Sequence, residues 1–588
     1  MPYPDAANPD LLDRIPLTAR TVLDVGCGSA ALGLEYKRRN PLARYFGVES
    51  DPEACILAAG RIDHVVGADV EAVAFPFGEQ RFDCIIYGDL LEHLKDPWKL
   101  LALHATRLQP GGLVLICMPN VEHWSFVQKL LAGSWAYEEQ GLLDHSHLRW
   151  FSAGTMLSAF AGAGLKPHDV SPRIFDADGC NAFVTAMAPS LRLMGIDPQE
   201  YAVRAAPIQH VWRALAEPVD RLNIVSTMLD PVGGVSHARI IQPMRALSTL
   251  PELLCLITKA GEVPALAADS VRIFIFHRPA LIGPETLRPI RQLLALGFVV
   301  VTEFDDHPDY IPILQQPDVQ NFRAVHAVQT STAPLAEVLA QRNPEVAVFP
   351  NAIERIPPHR NFEDPGRITL FFGGLNREQD WPEWLPVLNE VIAQVRAEGR
   401  VQLRFCVVSD RGLFEGLATD LKVFTPLCDY DTYLDLLSRC EISFMPLGDS
   451  VFNRCKSDLK FLEAAAARVM ALASPTVYAA SIEDGRTGLI FRDAAELRRK
   501  LLAVVADPGQ ARAMAEAARR HVAERRMLAY QLADRVAWYR DLWSRRHALN
   551  RALLTRVPEL ANAPSPMAEL PSDLGRVMIL RPAAAATE

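Results

Sequence analysis

Long apolar runs, paired cysteines and basic tracts are all missing from this sequence of 588 residues. No stretch approaches the ~18 uninterrupted apolar residues of a membrane-crossing helix, so none is expected. The opening MPYPDAANPDLLDRIP carries acids and prolines where a secretory signal has a basic and then an apolar segment. That predicts a cytoplasmic protein whose contact with a membrane, at its inner face, is at most peripheral. The ten cysteines (27, 55, 84, 117, 180, 255, 406, 428, 440 and 455) include no C-x-x-C pair and read as reduced, structural thiols. Sixty Lys and Arg against 70 Asp and Glu give a formal charge of −10; with no long basic run to follow a phosphate backbone, nucleic acid is not expected as a partner. The 33 Gly and 43 Pro follow no period, and 49% apolar with 22% charged residues is a globular composition, which excludes collagen, coiled coil and disorder for the whole chain.

At roughly 150 residues per domain, this length corresponds to about three or four folding units. Short apolar runs ending in Gly or Asp alternate with longer helical patterns: TVLDVG, YFGVES, FDCIIYGD and GLVLICMPN, then NIVSTM, VRIFIFH, FVVVTEF, ITLFFGG, QLRFCVVS and EISFMPL. Such a rhythm builds parallel sheets wrapped by helices, and it restarts, so the expected fold class is α/β with several doubly wound units in series. AEPVDRL, near Ala216 to Asp220, separates the first unit from a fresh strand, and NAIERIPPHRNFEDPG marks a second boundary near Pro350 to Pro365. The breaks predict domains over 1–216, 217–360 and 361–547. The last ends in a long helical stretch from about Asp507 to His547, and 548–588 is expected to be a partly disordered tail.

Thr21 to Val25 is an apolar, β-branched strand running into Gly26-Cys27-Gly28-Ser29-Ala30, and Glu49 closes the next strand, 21 residues after Gly28. Glycines let the backbone approach a ligand, and a carboxylate at the second strand's end can accept both ribose hydroxyl protons, so the pair suits a nucleoside. On spacing alone the loop also matches the dinucleotide fingerprint G-x-G-x-x-A with an acid about 20 residues on, which leaves an NAD-dependent sugar-modifying unit open at this point. The ordered motifs LDVGCGSAALG, GVESD, GADVE, FDCIIYGDLLEHLKDP and LQPGGLVLICMPN resemble class I S-adenosylmethionine-dependent methyltransferases. The resemblance implies a Rossmann-like domain using S-adenosylmethionine, with Asp24, Gly26 and Gly28 shaping the methionine pocket, Glu49 holding the ribose and Asp69 against the adenine. Ala30 departs from it, since many members have a third glycine there.

The segment LDHSHLRWF, Leu143 to Phe151, resembles an acceptor-side segment of the same enzymes. Methyl transfer to a hydroxyl needs in-line placement and removal of a proton, which an imidazole can accept, so His145 or His147 is the candidate catalytic base. Histidines beside Asp and Arg also serve as structural hydrogen-bonders. His93 in LLEHL reads as helix-start structure near the cofactor. The histidines 93, 123, 145 and 147 have no compact ligand spacing, and no metal is expected.

From Asn223 a strand runs into Asp230-Pro231-Val232-Gly233-Gly234-Val235-Ser236 and then a helical HARIIQPMRALSTL. Gly233 and Gly234 make either an anion site at a helix start or a tight turn. Residues 220–545 resemble glycosyltransferases of the two-lobed GT-B type, most like the large retaining family 4, through VFPNAI, ITLFFGGLNREQDW, NRCKSDLKFLEAAA and SIEDGRTGLIF in that order. The resemblance implies two Rossmann-like lobes, the acceptor side over 217–360 and the nucleotide-sugar side over 361–547, with late helices bracing the first lobe and no required metal. Sugar transfer needs cations to neutralise the leaving nucleoside diphosphate and a carboxylate to hold the donor. Arg377 and Lys456 are the candidate cations, Gly233 and Gly234 further donor contacts, and Glu463 the matching catalytic and donor-binding carboxylate. Cys455 stands where the family often has another glutamate. Lys456, Lys460 and Glu463 also read as an exposed, self-paired helix face. A rival reading takes Glu303-Phe304-Asp305-Asp306 as metal ligands of a single-lobed, metal-dependent glycosyltransferase.

These motifs predict a bifunctional enzyme that methylates a glycan or glycan precursor and transfers a sugar in cell-surface polysaccharide biosynthesis. Its expected partners are a nucleotide sugar and a glycan or lipid-linked glycan acceptor. In the alternative, one unit is a binding or scaffolding module, favoured only by Ala30 in the first and Cys455 in the second.

Overall fold

A computed structural model of the chain describes residues 5–230, 234–258, 266 and 270–561. Gly233 and the stretch 562–588 of the expected tail lie outside them. Two compact units are present, one made of Met1–Asp220 with Ser248–Glu252, the other of Arg221–Leu247 with the chain from Leu253.

The first unit is built on seven strands: β1 (Thr21–Val25), β2 (Arg44–Glu49), β3 (His64–Gly67), β4 (Phe82–Gly88), β5 (Leu108–Pro119), β6 (Lys166–Arg173) and β7 (Gln209–Leu215). Their order across the sheet is β3-β2-β1-β4-β5-β7-β6. The first five run parallel, and β7 is antiparallel to both its neighbours. The parallel strands are continuous apolar runs because helices cover both faces; Leu23, Val25, Phe82, Ile85, Val114 and Ile116 are buried in one core cluster. The chain leaves β1 toward β2 and β3 and returns to β4 on the other side. Ligands bind in open α/β sheets beyond the strand ends where the order reverses in this way.

The second unit has two sheets. The first holds β8 (Leu222–Thr227), β9 (Leu253–Thr258), β10 (Val271–His277), β11 (Val299–Glu303), β12 (Ala327–Thr330) and β13 (Val346–Val348) in the order β13-β12-β11-β10-β8-β9. The second holds β14 (Arg367–Gly373), β15 (Gln402–Val408), β16 (Lys422–Thr425), β17 (Ile442–Met445), β18 (Met470–Ala473) and β19 (Leu489–Ile490) in the order β16-β15-β14-β17-β18-β19. All pairings are parallel, and each order has a single switch point, beside β8 in one and β14 in the other. The fold is α/β, a Rossmann-like methyltransferase-type domain followed by a two-lobed GT-B arrangement; two six-stranded sheets exclude the single-lobed alternative.

The long helix expected after Asp507 is broken. Helices run over Pro508–Arg525, Leu532–Ser544 and Arg546–Arg556. Between the first two, Ile353 N–H donates to Arg526 O at 2.9 Å and Leu528 N–H donates to Ile353 O at 2.8 Å, so the backbone there bonds as a short bridge and cannot continue the helix. At the start of the stretch 548–588, Leu549 to Arg556 continues a helix, and its Leu553 is buried in a cluster with Leu281, Leu287, Ile290 and Ala324.

Candidate functional site

In the first unit the glycine loop follows β1 at the switch point. Gly26 and Gly28 have φ of +75° and +53°, a region only glycine enters freely, and no atom lies within 4 Å of where a Gly28 Cβ would stand. Glu49, at the end of β2, clasps the loop: its Oε2 accepts from Gly28 N–H at 2.8 Å, and its Oε1 accepts from the amides of Ser50 and Asp51 at 2.8 and 2.9 Å. Asp24 is buried behind the loop, where it accepts from the Tyr45 hydroxyl at 3.0 Å; burial pushes its carboxyl up to about 7. Asp69 is exposed just beyond β3, whose Gly67 pairs with Glu49, and its Oδ1 accepts from Glu71 N–H at 2.9 Å.

Ala30, in place of a third glycine, is fully buried at φ +57° and caps the helix Ala31–Arg39. Close helix-to-strand packing is supplied instead by Gly33, where a Cβ would lie 2.6 Å from Ile62 and 2.7 Å from Tyr45. Gly47 is a second close approach, 2.5 Å from Cys27 Sγ by the same construction. Neither position stood out in the sequence, because both lie within helix and strand patterns.

Beyond β4 opens a cavity of about 510 Å³, lined by Asp89, Glu92, His93, His145 and His147 among others. An extended segment would have turned both acceptor-side histidines to one side. Instead Asp144 makes a turn, with its Oδ1 accepting from Ser146 N–H at 2.8 Å and its carbonyl from His147 N–H at 3.1 Å. The His145 side chain is 72% exposed while His147 is buried, and burial together with His93 lowers the His147 pKa. His93, expected in helix-start structure, instead ends a short 3₁₀ turn, Leu91–His93. The fold adds what spacing concealed: ligand atoms of Glu92, His93 and His147 lie within 4.8 Å of one another. Glu92 is 2% exposed, and neither carboxylate oxygen has a hydrogen-bond partner.

In the second unit, helix Leu459–Ala466 carries Lys460 and Glu463. Phe461, Leu462, Glu463 and Ala464 are all buried, so the exposed-face reading is wrong: this helix packs in the core of its lobe. Glu463 accepts from the Tyr430 hydroxyl at 2.7 Å, and burial raises its pKa to about 7. Lys460 Nζ donates to Gly373 O at the end of β14; burial, with Arg377 nearby, lowers its pKa to about 7. The Tyr430 ring packs on Gly234, where a Cβ would lie 2.7 Å away, and on the His237 ring at 4.8 Å between centroids. Gly234 is therefore a close-approach position.

The two expected cations are already paired. Arg377 donates to Asp380 Oδ2 at 3.0 Å and to Asn453 Oδ1 at 3.4 Å, while Lys456 is ion-paired with Asp306. Arg278 holds the same Asp306 and lies 3.4 Å from Asp305. Glu303 is fully buried and accepts from Arg239 at 2.8 and 3.1 Å and from Gln329 at 2.7 Å. The acidic run after β11 is thus taken up by side-chain cations. Cys455 is buried in an apolar cluster with Phe304, Phe322, Val325 and Leu335, surroundings in which a carboxylate would be costly. Tyr430, Arg239 and Arg278 escaped sequence reasoning, as did the bond of Lys460 to Gly373, since each acts through a partner far along the chain.

Residues 5–170 match a family described as a methyltransferase domain, and residues 390–536 one described as glycosyl transferase-like. A ubiquinone biosynthesis O-methyltransferase of Cereibacter sphaeroides is 23% identical over 171 residues, 28% of this chain and 68% of that protein. Among solved structures, a Staphylococcus aureus TarM mutant with fondaparinux, alpha-GlcNAc-glycerol and UDP aligns over 46% of this chain and 56% of its own, at 12% identity and TM-score 0.35. Anabaena HepE with UDP and glucose aligns over 54% and 98%, at 10% identity and TM-score 0.38.

Proposed function

For a chain that joins a class I methyltransferase domain to a GT-B glycosyltransferase domain, we propose a bifunctional transferase that methylates a glycan or glycan precursor and adds a sugar to it from a nucleotide sugar. One observation carries the reading. A single chain holds a loop shaped for a nucleoside and closed on Glu49 at one sheet's switch point, and a buried lysine–carboxylate helix, Lys460 to Glu463, beside another. Joining the two activities makes sense where one product is the other's acceptor, since tethering raises effective concentration.

S-adenosylmethionine, when bound, supplies an electrophilic methyl group. The open space over Gly28 and the carboxylate at the end of β2 fit its nucleoside. Glu49 would hold the ribose, Asp69 flank the adenine, and Gly26, Gly28 and the buried Asp24 shape the methionine end. The acceptor hydroxyl would enter by the cavity lined by His145 and His147, one of which would take its proton. At the second site the sugar–diphosphate bond breaks with its electron pair passing to the diphosphate. Lys460 and Arg377, with Lys456 and the amides at the helix start, balance that charge. Glu463 and Gly234 face the donor, Glu463 through its carboxylate and Gly234 by close approach. The work is assigned to the cytoplasmic side of a membrane, on a precursor of cell-surface polysaccharide; among the described residues no helix is long and apolar enough to cross one.

Incubating the full chain with isotopically labelled S-adenosylmethionine and a panel of nucleotide sugars and lipid-linked glycans tests this. Mass spectrometry should find one methyl and one glycosyl increment on the same acceptor class. Glu49→Ala should lose only the first and Glu463→Ala only the second. Titrations giving no heat with S-adenosylmethionine or with any nucleotide sugar would make the corresponding unit a scaffold.

A further inference from the structure

We propose that a groove at the edge of the second lobe of the second unit binds a phosphate monoester with an apolar body, at a site separate from that of the sugar donor. The groove has a volume of about 830 Å³ and three walls. One is the face of helix Ala494–Ala506 that carries Arg499, Lys500 and Ala503; another is the face of helix Pro508–Arg525 that carries Ala513, Ala517 and Arg520. Each set is spaced three or four residues apart, which puts its members on one side of a helix. The third wall is the loop that enters β19 at Leu489. In the order β14-β17-β18-β19 that strand is the edge of its sheet, far from the switch point at β14 where Lys460 bonds Gly373.

Charge identifies the anion. Four cations (Arg486, Arg499, Lys500 and Arg520) and two acids (Asp484 and Glu496) line the groove, a local excess of two positive charges in a chain of formal charge −10. Both acids are already engaged. Asp484 accepts from Lys500 Nζ at 2.9 and 2.7 Å, and Glu496 accepts from Arg492 N–H at 3.0 Å. Arg486 pairs with Glu483 at 2.5 Å. Arg499 and Arg520 have no hydrogen-bond or ion-pair partner among the described residues, although both face the same groove. Two such guanidiniums repel each other until an anion joins them, and a phosphate offers each the paired oxygens that a guanidinium fork matches. A phosphate monoester carries nearly two negative charges at neutral pH, which equals the excess, whereas a carboxylate brings only one.

The rest of the lining is largely apolar. Leu489, Val504 and Met514 are buried beneath it, and alanines at 503, 513 and 517 keep the facing side chains short, which leaves the space between the helices open. Inorganic phosphate would leave that space to water; the hydrocarbon of an ester fills it. The walls are braced without a ligand. Lys500 Nζ, besides holding Asp484, donates to Ile490 O at 2.5 Å, which fastens the first helix to β19. Within the loop Gly485 N–H donates to Gly488 O at 2.8 Å, and Gly485 takes the left-handed φ of +82° that this turn requires. Cations at the rim and a fixed apolar bed together select an anionic amphiphile, whether a soluble phosphate ester or the headgroup of a lipid.

The test titrates the full-length chain calorimetrically with geranyl phosphate, geraniol and inorganic phosphate, and sediments it with phosphatidylcholine vesicles containing phosphatidic acid. Geranyl phosphate should bind, and geraniol and inorganic phosphate should each bind at least about tenfold more weakly. Arg499→Gln and Arg520→Gln should each weaken geranyl phosphate by at least about tenfold. Ala513→Leu should weaken it too, by filling the groove while both guanidiniums remain. All three positions are exposed, and thermal midpoints check that the variants fold. Sedimentation with the vesicles that the arginine variants lose makes a lipid headgroup the source; binding of the soluble ester alone makes the source a free phosphate ester. A folded wild-type chain that binds neither geranyl phosphate nor the vesicles, or variants that bind as wild type, overturns the site. Loss of binding in Lys460→Met with full binding in both arginine variants would place the ester at the donor site and overturn it as well.

Discussion

Lys460 and Glu463 stand three residues apart on one helix, and burial drives them toward the same pKa of about 7 from opposite sides. Each is held from outside the helix, Lys460 by the carbonyl of Gly373 and Glu463 by the hydroxyl of Tyr430.

The acid has a raised folded pKa, so between about 4.5 and 7 the folded chain holds a proton that the unfolded chain has lost. Its contribution to stability therefore falls as pH rises through that window. Glu463→Gln should flatten this part of the pH dependence of the urea midpoint of the second unit. A variant with the wild-type slope would remove Glu463 as the titrating group.

For the lysine the sign is reversed. Its folded pKa of about 7 leaves it largely neutral at pH 8, and a diphosphate placed beside it restores the ammonium form. Nucleotide-sugar binding at pH 8 should take up a proton, visible as a dependence of the calorimetric heat on buffer ionisation enthalpy. Lys460→Met should bind more weakly and without that dependence.

Glu49 accepts three loop amides in addition to its proposed ribose contacts. Glu49→Ala should cost about 2 to 4 kcal/mol of S-adenosylmethionine affinity by calorimetry, from lost charge-assisted hydrogen bonds. Sugar transfer should be unchanged, because the second site is in a separate unit.

Ala30 carries a methyl group at φ +57° without any opening around it. The left-handed conformation costs an L-residue about 1 to 2 kcal/mol, and glycine gives back about 0.5 to 1 kcal/mol of that in unfolded-chain entropy. Ala30→Gly should raise the thermal midpoint of the first unit modestly; a lowered midpoint would show that the methyl group packs better than its backbone angle suggests.

Glu303 is committed to Arg239, and Asp306 to Arg278 and Lys456. EDTA should therefore leave the rate of sugar transfer unchanged. Glu303→Gln should destabilise the second unit by about 3 to 5 kcal/mol in denaturant titrations, since it leaves the buried Arg239 uncompensated.

Local regularities were legible without coordinates. Alternating apolar runs and helical patterns specify βα units whatever the rest of the chain does, and contiguous stretches such as Gly26 to Ala30 or Asn453 to Ala466 bring their own geometry. That much sequence determines parallel sheets, their restarts and the position of the glycine loop. The helix break at Met527 was not visible, because it depends on a bridge to Ile353. Nor was the division of labour between His145 and His147: a turn stabilised by Asp144 buries one and exposes the other. Only the tertiary structure decided which charges meet. Arg239 finds Glu303, Tyr430 finds Glu463, and Glu92 and His93 find His147 across long loops, because each pairing depends on where the strands end in space and how much water the packing excludes, neither of which spacing along a chain records.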